Sequence, residues 1–161
     1  MAQRSVPQAL PSEFGVYFAL LEVGALVQQG VQGQLRTDGG LSFVQFQILA
    51  VLAERPETPL SMTDIADRIV HSRSGLTYQI ANLATAGLVA RVPSPDDERG
   101  VNVSLTPVGA SLLARVLPGH VSVVHDVLIA ALGDEDRAEL TRLLTNVAAH
   151  VRSQPSRSTR R

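Results

Sequence analysis

Apolar and polar positions along this chain follow two rhythms. Most of the chain repeats every three to four residues, the period of an amphipathic helix, and only 88–92 and 101–105 alternate like strands. From 12 to 35, Phe14, Tyr17, Phe18, Leu21, Ala25, Val31 and Leu35 recur at helical spacing, with scattered glycines that let another helix come close. The pattern predicts a long first helix that needs a partner. Thr37, Asp38, Gly39 and Gly40 are expected to break it. Ser42 and Gln45 then form a capping box ahead of Phe46, Leu49, Ala50, Leu52 and Ala53 in a second helix. A proline-bearing connector, 55–59, leads on.

The stretch 60–105 organises the rest. Ser61 can cap a helix and Asp64, three residues on, can cap back, with Ile65, Ala66 and Ile69 at helical spacing, which predicts a helix over Met62–Ile69. After a turn at Val70 and His71, Ser72 offers a second N-cap. Leu76, Ile80 and Leu83 define the buried stripe of a helix that Gly87 ends. Two short helices joined by so tight a turn make a helix-turn-helix. With Leu76 pointing inward, Ser74, Tyr78, Ala81 and Thr85 face outward, flanked by Thr77 and Asn82. Short hydroxyls and one Tyr suit an element that lies against phosphates or base edges, and a helix N-terminus favours a phosphate. An ordinary amphipathic helix with a bland face is the alternative.

Leu88, Val89 and Val92 open a strand, and Val101, Val103 and Leu105 alternate with Asn102 and Ser104 in a second. The loop between them, 93–100, is longer than a hairpin needs. Asp97 stands two residues before Arg99 and can hold that guanidinium extended, and the negative potential of a DNA minor groove attracts such an Arg. A solvated turn with a weak local ion pair is the competing reading. Thr106 then caps a helix with Pro107 at its first position. Apolar residues run on through Leu112, Leu113, Val116, Leu117, Val121, Val124, Val127 and Leu128, and Pro118-Gly119 is expected to kink or interrupt them. Asp134 restarts a last helix with three acids in its first turn and Leu140, Leu143, Leu144, Val147 and Val151 as its stripe. The first and last helices carry more Val and Leu than a monomer's surface allows, so a second copy is expected to cover them. Residues 1–11 read as a loose arm and 152–161 as a disordered Ser/Arg tail, its arginines solvated or touching phosphates.

Composition narrows the chemistry. A chain of 161 residues is one domain's worth, and the absence of Cys excludes disulfides, thiol redox sensing and thiolate zinc sites. No signal peptide or membrane span is read, and a cytoplasmic protein without a membrane partner is expected. The 14 cations are all Arg against 15 acids, for a net charge of −1. Between 61 and 105, Arg68, Arg73, Arg91 and Arg99 face Asp64, Asp67, Asp96, Asp97 and Glu98, a balance that argues against strong nonspecific binding to nucleic acid. A local patch of Arg73, Arg91, Arg99 and the helix N-terminus remains. His120 and His125, five apart, do not share a helix face, and no GxSxG elbow or phosphate-binding Gly loop occurs, so no metal, cofactor or catalysis is expected.

The ordered set Ser61-Met62-Thr63-Asp64-Ile65-Ala66, Ser72-Arg73-Ser74-Gly75-Leu76-Thr77, Leu83 with Ala86-Gly87-Leu88-Val89-Ala90-Arg91, Asp97-Glu98-Arg99-Gly100 and Leu105-Thr106-Pro107-Val108-Gly109 resembles the MarR family of winged-helix regulators. The likeness extends from about Phe14 to Val151. It implies a mainly α fold with a small β-wing. In it a winged helix-turn-helix core at about 42–105 is flanked by N- and C-terminal dimerisation helices, 12–37 and 107–151, all within one domain, 12–151. It implies a homodimeric repressor of double-stranded DNA that sets the 72–86 helix in the major groove and the Arg99 loop in the flanking minor groove. Ser72, Arg73, Ser74, Thr77, Tyr78, Asn82, Arg91, Asp97 and Arg99 are the implied DNA-binding residues. Tyr78 stands where many relatives carry Arg, which puts the contact at that position in doubt. A junction of the first, second and fifth helices, with Phe18, Phe43, Phe46 and His120, would take a small aromatic or anionic effector, although these rings can equally fill the core. The alternative function is a winged-helix dimerisation or adaptor module that binds no DNA.

Overall fold

The computed structural model describes residues 11–69, 73–94 and 100–154, less the side chains of 13, 73 and 74. A 3-10 turn, Ser12–Phe14, opens into α1 (Gly15–Gly39), followed by α2 (Phe43–Ala53), β1 (Leu60–Ser61), α3 (Met62–Ile69), α4 (Arg73–Thr85), β2 (Val89–Pro93), β3 (Val101–Leu105), α5 (Pro107–Val127), a 3-10 turn at Ile129–Ala131, and α6 (Asp134–Ser153). The fold is mainly α with a small sheet, as the resemblance implies.

Local chemistry sets most boundaries. Ser42 Oγ accepts from the Gln45 N–H at 3.2 Å while Gln45 Oε1 accepts from the Ser42 N–H at 2.9 Å, completing the capping box. At α3, Ser61 Oγ accepts from the Asp64 N–H at 3.1 Å but donates to the Asp64 carboxylate at 2.7 Å. The acid therefore bonds the hydroxyl rather than capping back to the backbone. Gly87, at φ 71°, turns the chain after α4, and the Leu88 N–H reaches the Leu83 carbonyl while the Gly87 N–H reaches Ala84. That pair of bonds is a Schellman ending, which a side chain with a Cβ would strain.

Three expectations need correction. The run 37–40 does not break α1 at its start: the helix continues through Gly39, with Thr37 Oγ1 donating to the Gly33 carbonyl and Gln34 bonding Asp38. Pro118 does not interrupt α5, which is continuous from Pro107 to Val127. Contacts with α1 hold it through that point, Gln34 Nε2 donating to the Val116 carbonyl at 3.1 Å while Gly119 leaves room for Gln34 and Asp38. Pro107–Ala131 is also long and apolar enough to cross a membrane, which the sequence reading did not see. α5 lies along α1 and against α2 with Leu113 and Val116 in the core, but only 11% of that apolar stretch is buried among the described residues.

The core sits under the helix-turn-helix. Ile48, Leu49, Leu52, Ile65, Leu76, Ile80, Leu83 and Val103 are almost wholly excluded from solvent and join Leu35 of α1 and Val116 of α5 in one cluster. The sheet has the order β1-β3-β2, both pairs antiparallel, with Leu60 opposite Val103 and Arg91 also opposite Val103 on the other side. The sequence pattern predicts β2 and β3 but misses β1, whose two residues are too few to show a period.

Candidate nucleic-acid interface

Burial fixes the orientation of α4. Leu76, Ile80 and Leu83 are 0%, 1% and 1% exposed, and each such side chain contributes about 1.5–3 kcal/mol on leaving water. A one-residue rotation of the helix would forfeit most of that, so the opposite face is held outward. On it Thr77, Tyr78, Ala81, Asn82 and Thr85 are exposed, Tyr78 to 66%. An exposed ring of that size on a helix that buries only aliphatics stands ready for a partner. The Thr85 hydroxyl donates to the Ala81 carbonyl at 3.0 Å, which withdraws it from the outward set.

Arg91 is exposed in the middle of β2, and Ser94 donates its N–H to the Gly100 carbonyl at 3.0 Å where the hairpin narrows again. Of the sequence-predicted contacts, the structure thus brings Thr77, Tyr78 and Asn82 onto one exposed helix face and leaves Arg91 exposed on the sheet. Arg73 begins α4, its side chain and that of Ser74 being outside the described atoms. Ser72, Asp97 and Arg99 lie outside the described residues. Arg68, one of the cations counted between 61 and 105, is engaged with Glu54, which follows α2, at 2.8 Å.

A node of hydrogen bonds ties the turn after α4 to α5. Thr106 Oγ1 accepts from the Gly109 N–H at 3.0 Å, as an N-cap does, and donates toward the Gly87 carbonyl at 2.7 Å and the Leu88 carbonyl at 3.0 Å. Its N–H also reaches the Leu88 carbonyl, at 3.2 Å. The end of α4 is thereby bound to the start of α5.

The residues set aside for an effector do not all meet. Phe46 and His120 stack at 4.2 Å between centroids, tilted by 40°, and Phe43 packs against the same core. Phe18 is half exposed and packs edge-on against Tyr17, sixteen residues before Gln34, which touches α5 beside His120. At 1.5 Å per residue that is roughly 24 Å along α1, so within one chain Phe18 does not join the other three. His120 Nδ1 is buried without a partner, and burial lowers the pKa of its ring, which holds it neutral at pH 7. The Gln34 carbonyl oxygen is buried and unpartnered too. Neither orphan atom was legible in the sequence.

Comparison with known proteins decides the family. Residues 39–100 match the model of the MarR family. The DNA-bound crystal structure of Sco3205, a MarR family transcriptional regulator from Streptomyces coelicolor, superposes with a TM-score of 0.83 at 33% identity over 94% of each chain. The chain belongs to the MarR family. It is 34% identical to the transcriptional regulator PecS of Dickeya dadantii over 69% of its own length and 67% of that protein's. It is 31% identical to the transcriptional repressor YetL of Bacillus subtilis over 65% of its length and 62% of that protein's. MarR-family members are non-enzymatic DNA-binding regulators of transcription, and this chain is one of them.

Proposed function

We propose that the protein is a homodimeric, cytoplasmic repressor that binds a pseudo-palindromic operator and is released by a small aromatic or anionic effector. The observation that carries the DNA-binding half is the exposed face of α4, where Thr77, Tyr78 and Asn82 stand opposite a stripe buried to within 1% of completion. The presence of DNA in the Sco3205 crystal, and the repressor designation of YetL, support the same reading. In it α4 enters the major groove and the loop carrying Asp97 and Arg99 lies along the flanking minor groove.

The dimer reading is supported by apolar surface that nothing among the described residues covers. Val16, Tyr17, Leu20, Leu21 and Leu26 of α1 and Leu143, Leu144, Val147 and Val151 of α6 are all more than 40% exposed. Two copies joined there carry two readers, which must stand about 34 Å apart to enter successive major grooves. An adaptor that binds no DNA would share the apolar helices but has no use for the α4 face. Selection of bound sequences from random duplex DNA tests the proposal: enrichment of a two-fold symmetric motif is expected, and no enrichment at low salt refutes it.

A further inference from the structure

Among the described side chains, the exposed face of α4 carries no charge. Thr77, Tyr78, Ala81, Asn82 and Thr85 stand outward on it, and the buried stripe of Leu76, Ile80 and Leu83 fixes that orientation. Ala81 lies three residues after Tyr78 and four after Thr77, and Asn82 lies four after Tyr78, so these four side chains are surface neighbours in one patch. The Tyr78 ring is 66% exposed and meets no other aromatic ring among the described residues. The Asn82 amide likewise forms no hydrogen bond there, and the Thr85 hydroxyl is held by the Ala81 carbonyl.

Resting on the operator-binding reading above, we propose that this patch recognises A·T pairs in the major groove. The Tyr78 ring, with Ala81 and the Thr77 methyl beside it, covers a thymine C5-methyl group, and the Asn82 amide bonds N6 and N7 of an adenine. Elimination supplies half of the reason. In that groove guanine is distinguished by an Arg or Lys bonded to O6 and N7, and cytosine by a carboxylate accepting from N4; the described outward side chains of α4 include none of these. The chain has no Lys at all. Arg73 stands at the first position of α4, five residues before Tyr78, which is about 7.5 Å of helix rise and roughly two base-pair steps away. Complementarity supplies the other half. The acceptor and donors of an Asn amide match the N6 donor and N7 acceptor of adenine. Thymine alone among the bases presents a methyl group in the major groove, and apolar side chains recognise it. Ala81 ends at its Cβ, which leaves room for that methyl beside the exposed Tyr78 ring.

The test removes single groups from the DNA. The probe is the duplex enriched from random DNA by the full-length chain, with each thymine and its symmetry mate replaced in turn by uracil, which pairs identically and lacks only the methyl. Affinity is read by fluorescence anisotropy, at matched low salt, for the full-length chain and for its Tyr78→Ala and Tyr78→Phe variants. Because Tyr78 is exposed, neither substitution opens the core. At one thymine position in each half-site, uracil is expected to weaken the native chain about fourfold per methyl lost, the value of one such group leaving water, and about fifteenfold for the symmetric pair. Tyr78→Ala should lose this sensitivity, and Tyr78→Phe should keep it, because the methyl meets the ring rather than the hydroxyl. Exchange of adenine for 7-deazaadenine, which removes N7, should weaken the native chain at one position per half-site and leave Asn82→Ala unaffected. The inference is overturned if no thymine in the enriched duplex responds to uracil, or if the exchange weakens Tyr78→Ala as much as the native chain; sequence-specific binding then stands without it. Failure of the native chain to enrich any sequence overturns the operator-binding reading itself, a different outcome from either.

Discussion

Gly109 is the position at which one added carbon does most damage. A Cβ there would stand 2.1 Å from the Leu88 carbonyl oxygen and 2.9 Å from Leu105 Cδ1. The backbone of Leu88 would have to retreat by more than an ångström to reach van der Waals distance. That same oxygen accepts from the Thr106 N–H and the Thr106 hydroxyl, whose oxygen caps α5. Moving it costs about two hydrogen bonds at roughly 1 kcal/mol each, and overpacking adds about 1–3 kcal/mol. The intrinsic helix preference of Ala over Gly returns about 1 kcal/mol. Gly109→Ala should therefore destabilise by about 2–4 kcal/mol, a large part of the 5–15 kcal/mol typical of a domain. Gly33→Ala in α1 is the reference, because a Cβ there meets nothing within 4 Å and only the propensity gain remains. Urea unfolding of the two variants is to be compared at one fixed protomer concentration, since association adds to apparent stability. If Gly109→Ala unfolds at the same midpoint as Gly33→Ala, the contact between the start of α5 and the reader is not as tight as the structure has it.

Arg99→Ala should weaken operator binding by about 1–3 kcal/mol and relax A·T preference at the flanks of the site, with helicity and sedimentation unchanged; equal affinity at matched salt removes the loop from the mechanism. Truncation before Asp134 deletes α6 and uncovers the α1 surface it would share with a second copy, so a monomer or an aggregate is expected. Sedimentation of the full-length chain as a monomer at micromolar concentration sinks the dimer reading.

Elements whose period is carried by many residues were legible in the sequence. The stripe Leu76, Ile80, Leu83 oriented α4 correctly because all three burials agree, and Ser42 with Gln45 marked α2 because a capping box is a local pattern. What stayed hidden depends on contacts between distant residues. β1 exists because Leu60 pairs with Val103, forty-odd positions away, and α5 continues through Pro118, where Gln34 of α1 bonds the Val116 carbonyl. The site divides in the same way. Thr77, Tyr78 and Asn82 follow from helical geometry, whereas the commitment of Arg68 to Glu54 and the separation of Phe18 from His120 need tertiary packing to be seen.

In the function proposed above, the effector enters at the junction of α1, α2 and α5, where Phe43, Phe46 and His120 lie and where two polar atoms, His120 Nδ1 and Gln34 Oε1, are buried without partners. An orphaned buried polar atom costs about 1–3 kcal/mol, so a carboxylate or phenol that satisfied one of them while its ring stacked against Phe46 would gain that much on entering. α5 carries both the contact with Phe46 and the bonded start at Thr106, so in the proposed dimer a ligand that shifts α5 against α2 would alter the separation of the two α4 helices. Such a molecule acts as an inducer only through differential affinity for the two arrangements, and a typical coupling of 1–3 kcal/mol corresponds to about 5–150-fold. Coupling is reciprocal, so the operator must weaken the ligand by the same factor that the ligand weakens the operator. Calorimetric titration of an aromatic acid such as salicylate into free and into operator-bound protein reads that factor directly. A ratio of at least fivefold in favour of the free protein is expected, with His120→Ala reducing affinity for the acid; equal affinity in the two titrations means that the compound binds without inducing.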